Sequence, residues 1–482
     1  MIWRRSERNS IRIRVDRRTC LADRLPYDKA SGFLLCRVGS TGTASILKTD
    51  IPKGRYVPPT RSTPPRVLSN VERRGKESMD LIEIKGKVNT AICYARVVED
   101  EAIEQIRRMC DYAMTEGSRI RIMPDVHAGK GCTIGTTMTI TDKAVPNVVG
   151  VDIGCGMYTV NLGKADVDFE KVDEAAHFIP SGMNVWEGRQ ERFDLTGLVC
   201  YRELKDAKRL ERSLGTLGGG NHFIEIDEAA DGTKYLVIHS GSRNLGKQVA
   251  ELYQKMAINL NRGYGDYLEK RDEIIRTYKE QGRKNEIQEA LKQLHWQVYE
   301  SETSIPEDLC YLSGKYLEDY LHDVEICQAF ARRSREKIAE IILERTGMAG
   351  SEGFHTIHNY IDTEEMILRK GAIAAHKGEK VLIPINMRDG SVLAVGKGNP
   401  EWNYSAPHGA GRLMSRAKAK NTLSLEEYQK TMEGVYTTSV NENTLDEAPM
   451  AYKSLEDIID VIRESVDVID VMKPIYNFKA PD

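Results

Sequence analysis

Asp152 and Cys155 stand three residues apart in VGVDIGCGM, residues 149–157, among glycines that a packed strand or helix would not choose. A carboxylate and a thiolate so placed suit a borderline metal such as zinc, manganese, iron or cobalt. As a pair they could bridge two ions and clamp a phosphoryl group in transfer. The chain offers imidazoles to complete such a set. Of its ten histidines, His222 follows GGGN, His239 opens HSGSRNLG, His358 lies in HNY and His408 is flanked by Pro407, Gly409 and Gly411. His355 and His358, three residues apart, are not separable by spacing. His295 and His322 fall in charged helical patterns, are read as structural or solvated, and are left out of the site. No CxxC pair occurs, which excludes a zinc finger. The GKG of HAGKGCTIGTT lacks the GxxxxGK[ST] spacing, so a P-loop is not supported. Residue types and spacing therefore point to a metal-dependent, phosphate-handling enzyme without specifying a reaction.

The elements that must position these residues are short strands and helices in alternation. Residues 79–97 alternate like strands, and residues 100–116 carry Ile103, Ile106, Met109, Cys110 and Ala113 at helical spacing. Buried strands are expected at 120–123, running into Pro124, Asp125 and His127, and then at 136–140, 158–162 and 234–238, the last delivering His239. From about 247 to 346 the composition turns charged and helical. One stripe there, Tyr316, Leu317, Tyr320, Leu321, Val324, Cys327 and Ala331, predicts helix packed on helix. Apolar runs on both sides of Arg388, Asp389 and Gly390 predict a hairpin. In the tail, Ser454 opens a capping box, and Ile458, Ile459, Ile462, Val466 and Ile469 are expected along one helical face. There is no internal repeat.

The totals set limits. Hydrophobic residues make up 40% and charged ones 29% of the 482 residues, an ordinary balance for a globular protein. No apolar run approaches the roughly 18 residues of a spanning helix. The start MIWRRSERNS has no apolar h-region, and nine scattered cysteines fit a reduced, cytoplasmic protein better than a disulfide framework. The net charge of −3 hides an asymmetry: residues 1–78 hold eighteen Lys and Arg against seven Asp and Glu. That arm lacks hydrophobic periodicity and crowds Pro58, Pro59, Pro64 and Pro65 near its end. It is expected to be a disordered or non-native extension, with the patterned domain opening at Met79.

Taken together, MPDVHAGKG, VGVDIGCGM, GGGNHFIEI, HSGSRNLG, HNY and SAPHGAGR occur in the order and rough spacing of the RtcB family of RNA ligases, which the chain resembles over residues 79–482. The resemblance implies an α+β fold, with mixed β-sheets around a deep metal cleft and a mainly helical insertion at about 247–346. It implies a GTP- and manganese-dependent ligase. Such an enzyme joins RNA ends bearing a 2′,3′-cyclic phosphate or 3′-phosphate to 5′-hydroxyl ends, in RNA repair or tRNA splicing. Residue by residue, Asp152, Cys155, His222, His239 and His358 match the ligands of two manganese ions, and His408 matches the histidine that becomes guanylylated. Asn221, His222, Glu225, His358, Asn359, Ser391, His408, Gly409, Ala410, Gly411, Tyr452 and Lys479 match nucleotide contacts. The RNA backbone is expected on Arg243, Lys397, Arg412 and Arg416. An archease-type activator, which some members use, is a candidate partner; no membrane is implied. The chain departs from the common pattern in INMRDGS at 385–391 and in Pro407, where Cys is frequent. Two rival readings are an RNA end-processing phosphohydrolase that opens cyclic phosphates without joining, and a non-catalytic RNA-binding paralogue.

Overall fold

The computed structural model describes residues 72–76, 78–129, 131–299, 304–351 and 353–479. The basic arm up to residue 71 lies outside them. The described chain already pairs upstream of Met79, since strand Glu72–Lys76 runs antiparallel to strand Ser78–Lys85.

Two seven-stranded sheets carry the fold. The first runs, in spatial order, Glu72–Lys76, Ser78–Lys85, Thr90–Cys93, Ile120–His127, Ile134–Thr139, Ile367–Lys370 and Asn359–Asp362. Its one parallel pair joins Thr90–Cys93 to Ile120–His127. Helix Asp100–Cys110 makes the crossover between them, as a parallel connection requires, and buries Ala102, Ile106, Met109 and Cys110. The second sheet runs Phe354–Ile357, Gly156–Gly163, Lys234–Ser240, Phe223–Glu228, Val466–Lys479, Gly390–Gly396 and Lys380–Asn386. All its pairings are antiparallel. With the helices between, this is an α+β protein.

Residue 358 is the seam. The chain leaves the second sheet at Ile357 and enters the first at Asn359. The His358 amide donates to Cys155 O at 2.9 Å, while its carbonyl accepts from Gly371 N at 2.7 Å. Cys155 immediately precedes strand Gly156–Gly163, His222 immediately precedes Phe223–Glu228, and His239 is paired with Met157 and Phe223. Antiparallel register thus brings residues far apart in sequence to one end of one sheet.

Helix Gly314–Thr346 underlies this end. Leu317, Tyr320, Val324, Cys327 and Ala331 are buried as the stripe predicts, and the buried face continues through Ser334, Arg335, Ile338 and Ile342. Each large apolar side chain so buried stabilises the fold by about 1.5–3 kcal/mol. The tail departs from expectation. Ser454 Oγ does accept from Asp457 N and caps a helix, but that helix spans only Leu455–Ile462. Val466 and Ile469 belong to the strand Val466–Lys479, which is bonded between Phe223–Glu228 and Gly390–Gly396. Ladder bonds on both sides, invisible to local periodicity, outweigh the helical spacing. No described helix is long and apolar enough to cross a membrane.

Candidate functional site

Four of the five expected metal ligands are buried, and the fifth, Asp152, is partly so. Cys155 Sγ lies 3.4 Å from His222 Nε2 and 3.4 Å from His239 Nε2. His239 Nε2 is 3.4 Å from His358 Nε2, and Asp152 Oδ2 is 3.1 Å from His222 Nε2. Two donors held about 2.1 Å from one ion at the tetrahedral angle stand about 3.4 Å apart, so the spacing fits ligands that share ions. The rings are turned for it from behind. His222 Nδ1 donates to Leu217 O at 2.8 Å and His239 Nδ1 to Asn221 O at 3.0 Å, which leaves each Nε2 lone pair facing the cluster. His358 Nδ1 is buried with no hydrogen-bond partner among the described residues.

The electrostatics agree with the geometry. Burial holds His239 and His358 well below the ordinary imidazole range, and neighbouring imidazoles add to it, so both rings are neutral, the form that binds a metal. Burial also pushes the Cys155 thiol far up, reinforced by Asp152. Burial works against charge on Asp152, but its contacts with His222 and Cys155 and the nearby Arg243 leave the carboxyl below its usual range. The neutral His239 and His358 rings, a suppressed thiol and a carboxylate make a donor set short of positive charge. The residues present fit a divalent metal.

Two backbone features admit the cluster. Gly154 takes φ of 76°, the left-handed region that favours glycine. A Cβ on Gly241 would fall 2.0 Å from Asp152 Oδ1, so only glycine lets the carboxylate approach. Beneath the loops, the buried Arg335 donates from one guanidinium nitrogen to Gly154 O at 2.7 Å and Ser240 O at 2.8 Å, tying the Cys155 loop to the His239 strand.

Beside the cluster, His408 follows the short strand Ser405–Pro407, its ring 5.0 Å from that of His358. Asp125, fully buried at the end of strand Ile120–His127, accepts from His408 Nδ1 at 2.6 Å and from the His408 amide at 3.1 Å through the same oxygen. Nδ1 therefore carries the proton and Nε2 presents a lone pair. Asp125 is a site residue that sequence reasoning passed over, although it sits in MPDVHAGKG beside His127, whose Nδ1 is held by the Asp125 carbonyl at 2.9 Å.

A cleft of ≈ 210 Å³ opens from His239, His358 and His408 and is also lined by Asn221, Glu225, Gly409, Ala410, Gly411, Tyr452 and Lys479. Its far group is an ion network around the buried Glu447. Tyr452 OH donates to Glu447 at 2.7 Å, Arg412 and Arg416 approach it at 3.2 and 3.1 Å, and Lys479 Nζ bonds it closely. Burial alone would raise the Glu447 carboxyl, but Lys479, Arg416 and Arg412 together outweigh it and hold it at about 2.

Not every expected nucleotide contact reaches the cleft. Ser391 is fully buried within the second sheet, paired with Met472. The hairpin places Asn386 and Met387 at the wall instead. Their position directly after the Ile383–Pro384 pair was the available signal. Asn359 turns its Oδ1 to Gly371 N at 3.0 Å and its carbonyl to Gly154 N, bracing the seam. The four expected RNA-holding cations do not form one patch. Arg412 and Arg416 line the cleft. Arg243 lines a separate groove of ≈ 440 Å³ with Asp152, His222, Arg209 and Lys247. Lys397, just past the end of strand Gly390–Gly396, pairs with Asp467 at 3.1 Å, because that strand runs beside Val466–Lys479. The structure also separates the two ambiguous histidines: His355 stacks on Tyr158 and meets Glu336, away from the cluster.

A family model described as tRNA-splicing ligase RtcB matches residues 108–204 and 199–480. The chain belongs to the RtcB family. Among curated relatives, the RNA-splicing ligase RtcB of Escherichia coli K12 is 29% identical over 403 residues, covering 75% of this chain and 90% of that protein. The tRNA-splicing ligase RtcB of Aeropyrum pernix is 26% identical over 413 residues, covering 70% and 83%. The RNA-splicing ligase RtcB2 of Escherichia coli ATCC 25922 is 25% identical, covering 79% and 93%. In this RtcB-family chain Asp152, Cys155, His222 and His239 gather at one end of the second sheet, with His358 at the seam and His408 beside it.

Proposed function

We propose that this RtcB-family RNA ligase uses GTP and manganese to join an RNA end bearing a 2′,3′-cyclic phosphate or 3′-phosphate to a 5′-hydroxyl end. The single observation that supports this best is the pair of His408 and Asp125 beside the donor cluster. A histidine with Nδ1–H fixed on a buried carboxylate is locked in one tautomer, and its Nε2 is a competent nucleophile toward phosphorus. As the new bond forms, the imidazole becomes positive and the Asp125 carboxylate stabilises it. Metal ions between Asp152, Cys155, His222, His239 and His358 would supply the positive charge that offsets the phosphates.

In this reading a cyclic end is first hydrolysed to a 3′-phosphate. Nε2 of His408 attacks the α-phosphorus of GTP, a P–N bond forms and pyrophosphate leaves. An oxygen of the RNA 3′-phosphate then attacks the same phosphorus, the P–N bond breaks and the imidazole is restored. Finally the 5′-hydroxyl oxygen attacks the RNA phosphorus, loses its proton, and GMP departs. Glu225, Asn386, Tyr452 and Lys479 would hold the nucleoside. The groove with Arg209, Arg243 and Lys247, open beside Asp152 and His222, suits a phosphate backbone.

The test is ligation with defined ends. With GTP and manganese, a cyclic-phosphate strand and a 5′-hydroxyl strand should become one strand whose junction phosphate comes from the 3′ end. Opening of the cyclic phosphate without joining would replace this reading with an end-processing hydrolase.

A further inference from the structure

Below the nucleotide cleft lies a second acid that the ligase reading does not use. Glu225 and Asp227 are two residues apart on strand Phe223–Glu228, so their side chains share a face. Glu225 lines the cleft and accepts from Asn477 Nδ2 at 2.5 Å. Asp227 is fully buried, as is Ser391 two strands away. Among the described residues, both Asp227 carboxyl oxygens, Ser391 Oγ and Asn477 Oδ1 have no hydrogen-bond partner. Yet Asp227 faces Glu225 on one side and the Ser391 hydroxyl on the other. So many orphaned buried atoms are costly. Two carboxylates in contact cannot both ionise, and one proton between them supplies the missing donor.

We propose that Asp227 is a positioning residue of the cleft: as a neutral acid anchored by Ser391, it donates a hydrogen bond to Glu225 and fixes that carboxylate toward the nucleotide. The charge belongs on Glu225 because of what faces each acid. From strand Val466–Lys479, Asn477 bonds Glu225 and Lys479 lies near it. Asp227 is paired there with Pro474, and Ser391 faces it from the strand beyond. On the opposite side the paired residues are Val237 and Tyr235. Burial raises both acids, Glu225 to about 7 and Asp227, also pressed by Glu225, well above the ordinary carboxylate range. With one proton between them, Asp227 donates to Glu225, whose carboxylate also accepts from Asn477 Nδ2, so the pair carries one negative charge. The arrangement also gives Ser391 a role through Glu225 in place of direct nucleotide contact.

The inference rests on the reading of the cleft as a GTP site, so its test has two arms. GTP affinity of the manganese-loaded full chain is measured from about pH 6 to about pH 9 for wild type, Asp227→Asn and Asp227→Ala. Wild type should weaken about tenfold at the alkaline end as the second acid ionises. Asp227→Asn, a neutral donor of the same shape, should stay within about twofold at neutral pH and lose the alkaline fall, while Asp227→Ala weakens about tenfold throughout. Equal weakening of the two variants, or an alkaline fall that persists in Asp227→Asn, overturns the proposal. If wild type binds no GTP, the cleft reading fails and thermal unfolding decides the pair separately. A folded-state acid with a raised pKa loses stability as pH rises from the ordinary carboxylate range toward that raised value. The Tm advantage of Asp227→Asn over wild type should therefore grow with pH, and an advantage that stays constant overturns the shared proton.

Discussion

The two groups of residues along the cleft solve opposite electrostatic problems. Around Cys155 the His239 and His358 rings are neutral and the thiol is suppressed beside the Asp152 carboxylate, with His222 and His239 turned by backbone carbonyls. Around Glu447 the charges already answer one another, with Arg412, Arg416 and Lys479 on one carboxylate. The first group is shaped for something absent from the chain itself. The second is already matched in charge by its own residues. Ligands of the first kind should be sensitive to metal, and residues of the second to pH.

Breaking the first group should have the largest effect. His239→Ala or Cys155→Ser removes a donor common to two contacts. Each should lower ligation by about 10⁴-fold or more, a loss on the scale of removing a catalytic group, with bound manganese falling in parallel by elemental analysis. Asp125→Asn keeps the shape but offers His408 Nδ1 a donor where it needs an acceptor. It should cost about 10²–10⁴-fold in GMP transfer while leaving metal content unchanged. Loss of metal in that variant would mean that the two subsites are not separate.

Arg335→Met sharpens the link between scaffold and cluster. The buried guanidinium bridges Gly154 O and Ser240 O, and its loss should weaken manganese binding about 10–100-fold, as outer-sphere changes do. The second group should show itself in acid. Glu447 is held at about 2, below its unfolded value, so its contribution is present above the ordinary glutamate range and is lost as pH falls from about 4.5 toward 2. That is about 3 kcal/mol, and Glu447→Gln should flatten acid unfolding across this window. The smallest effect is expected of His355→Ala, which should cost about 1 kcal/mol of stability through the lost stacking on Tyr158 and leave ligation near wild type.

Much of the site was legible because its residues carry their own signals. Asp152 and Cys155 stand among glycines that a core would reject, and His222, His239 and His408 lie at strand ends in glycine turns. What pairs them was not legible. His355 and His358 differ only in that one lies inside a strand and the other between two sheets. Arg335 looks like any charged residue of a helix until the helix is laid under the loops. Asp125 is a single acid in an apolar strand, given meaning by His408, 283 residues away, and Asp227 gains its meaning from Glu225 on its own strand and Ser391 two strands across. The tail was misread for the same reason. Its apolar spacing suits a helix, and only its two neighbouring strands make Val466–Lys479 a strand.

The central claim is that His408 reacts while Asp152, Cys155, His222, His239 and His358 hold metal. It is tested most directly by incubating the full chain with manganese and GTP labelled at the α-phosphate, then mapping the modified peptide. A GMP adduct on His408, dependent on manganese, absent from His408→Ala and retained in His355→Ala, is the predicted result. Label on any other residue, or label that survives His408→Ala, would contradict it.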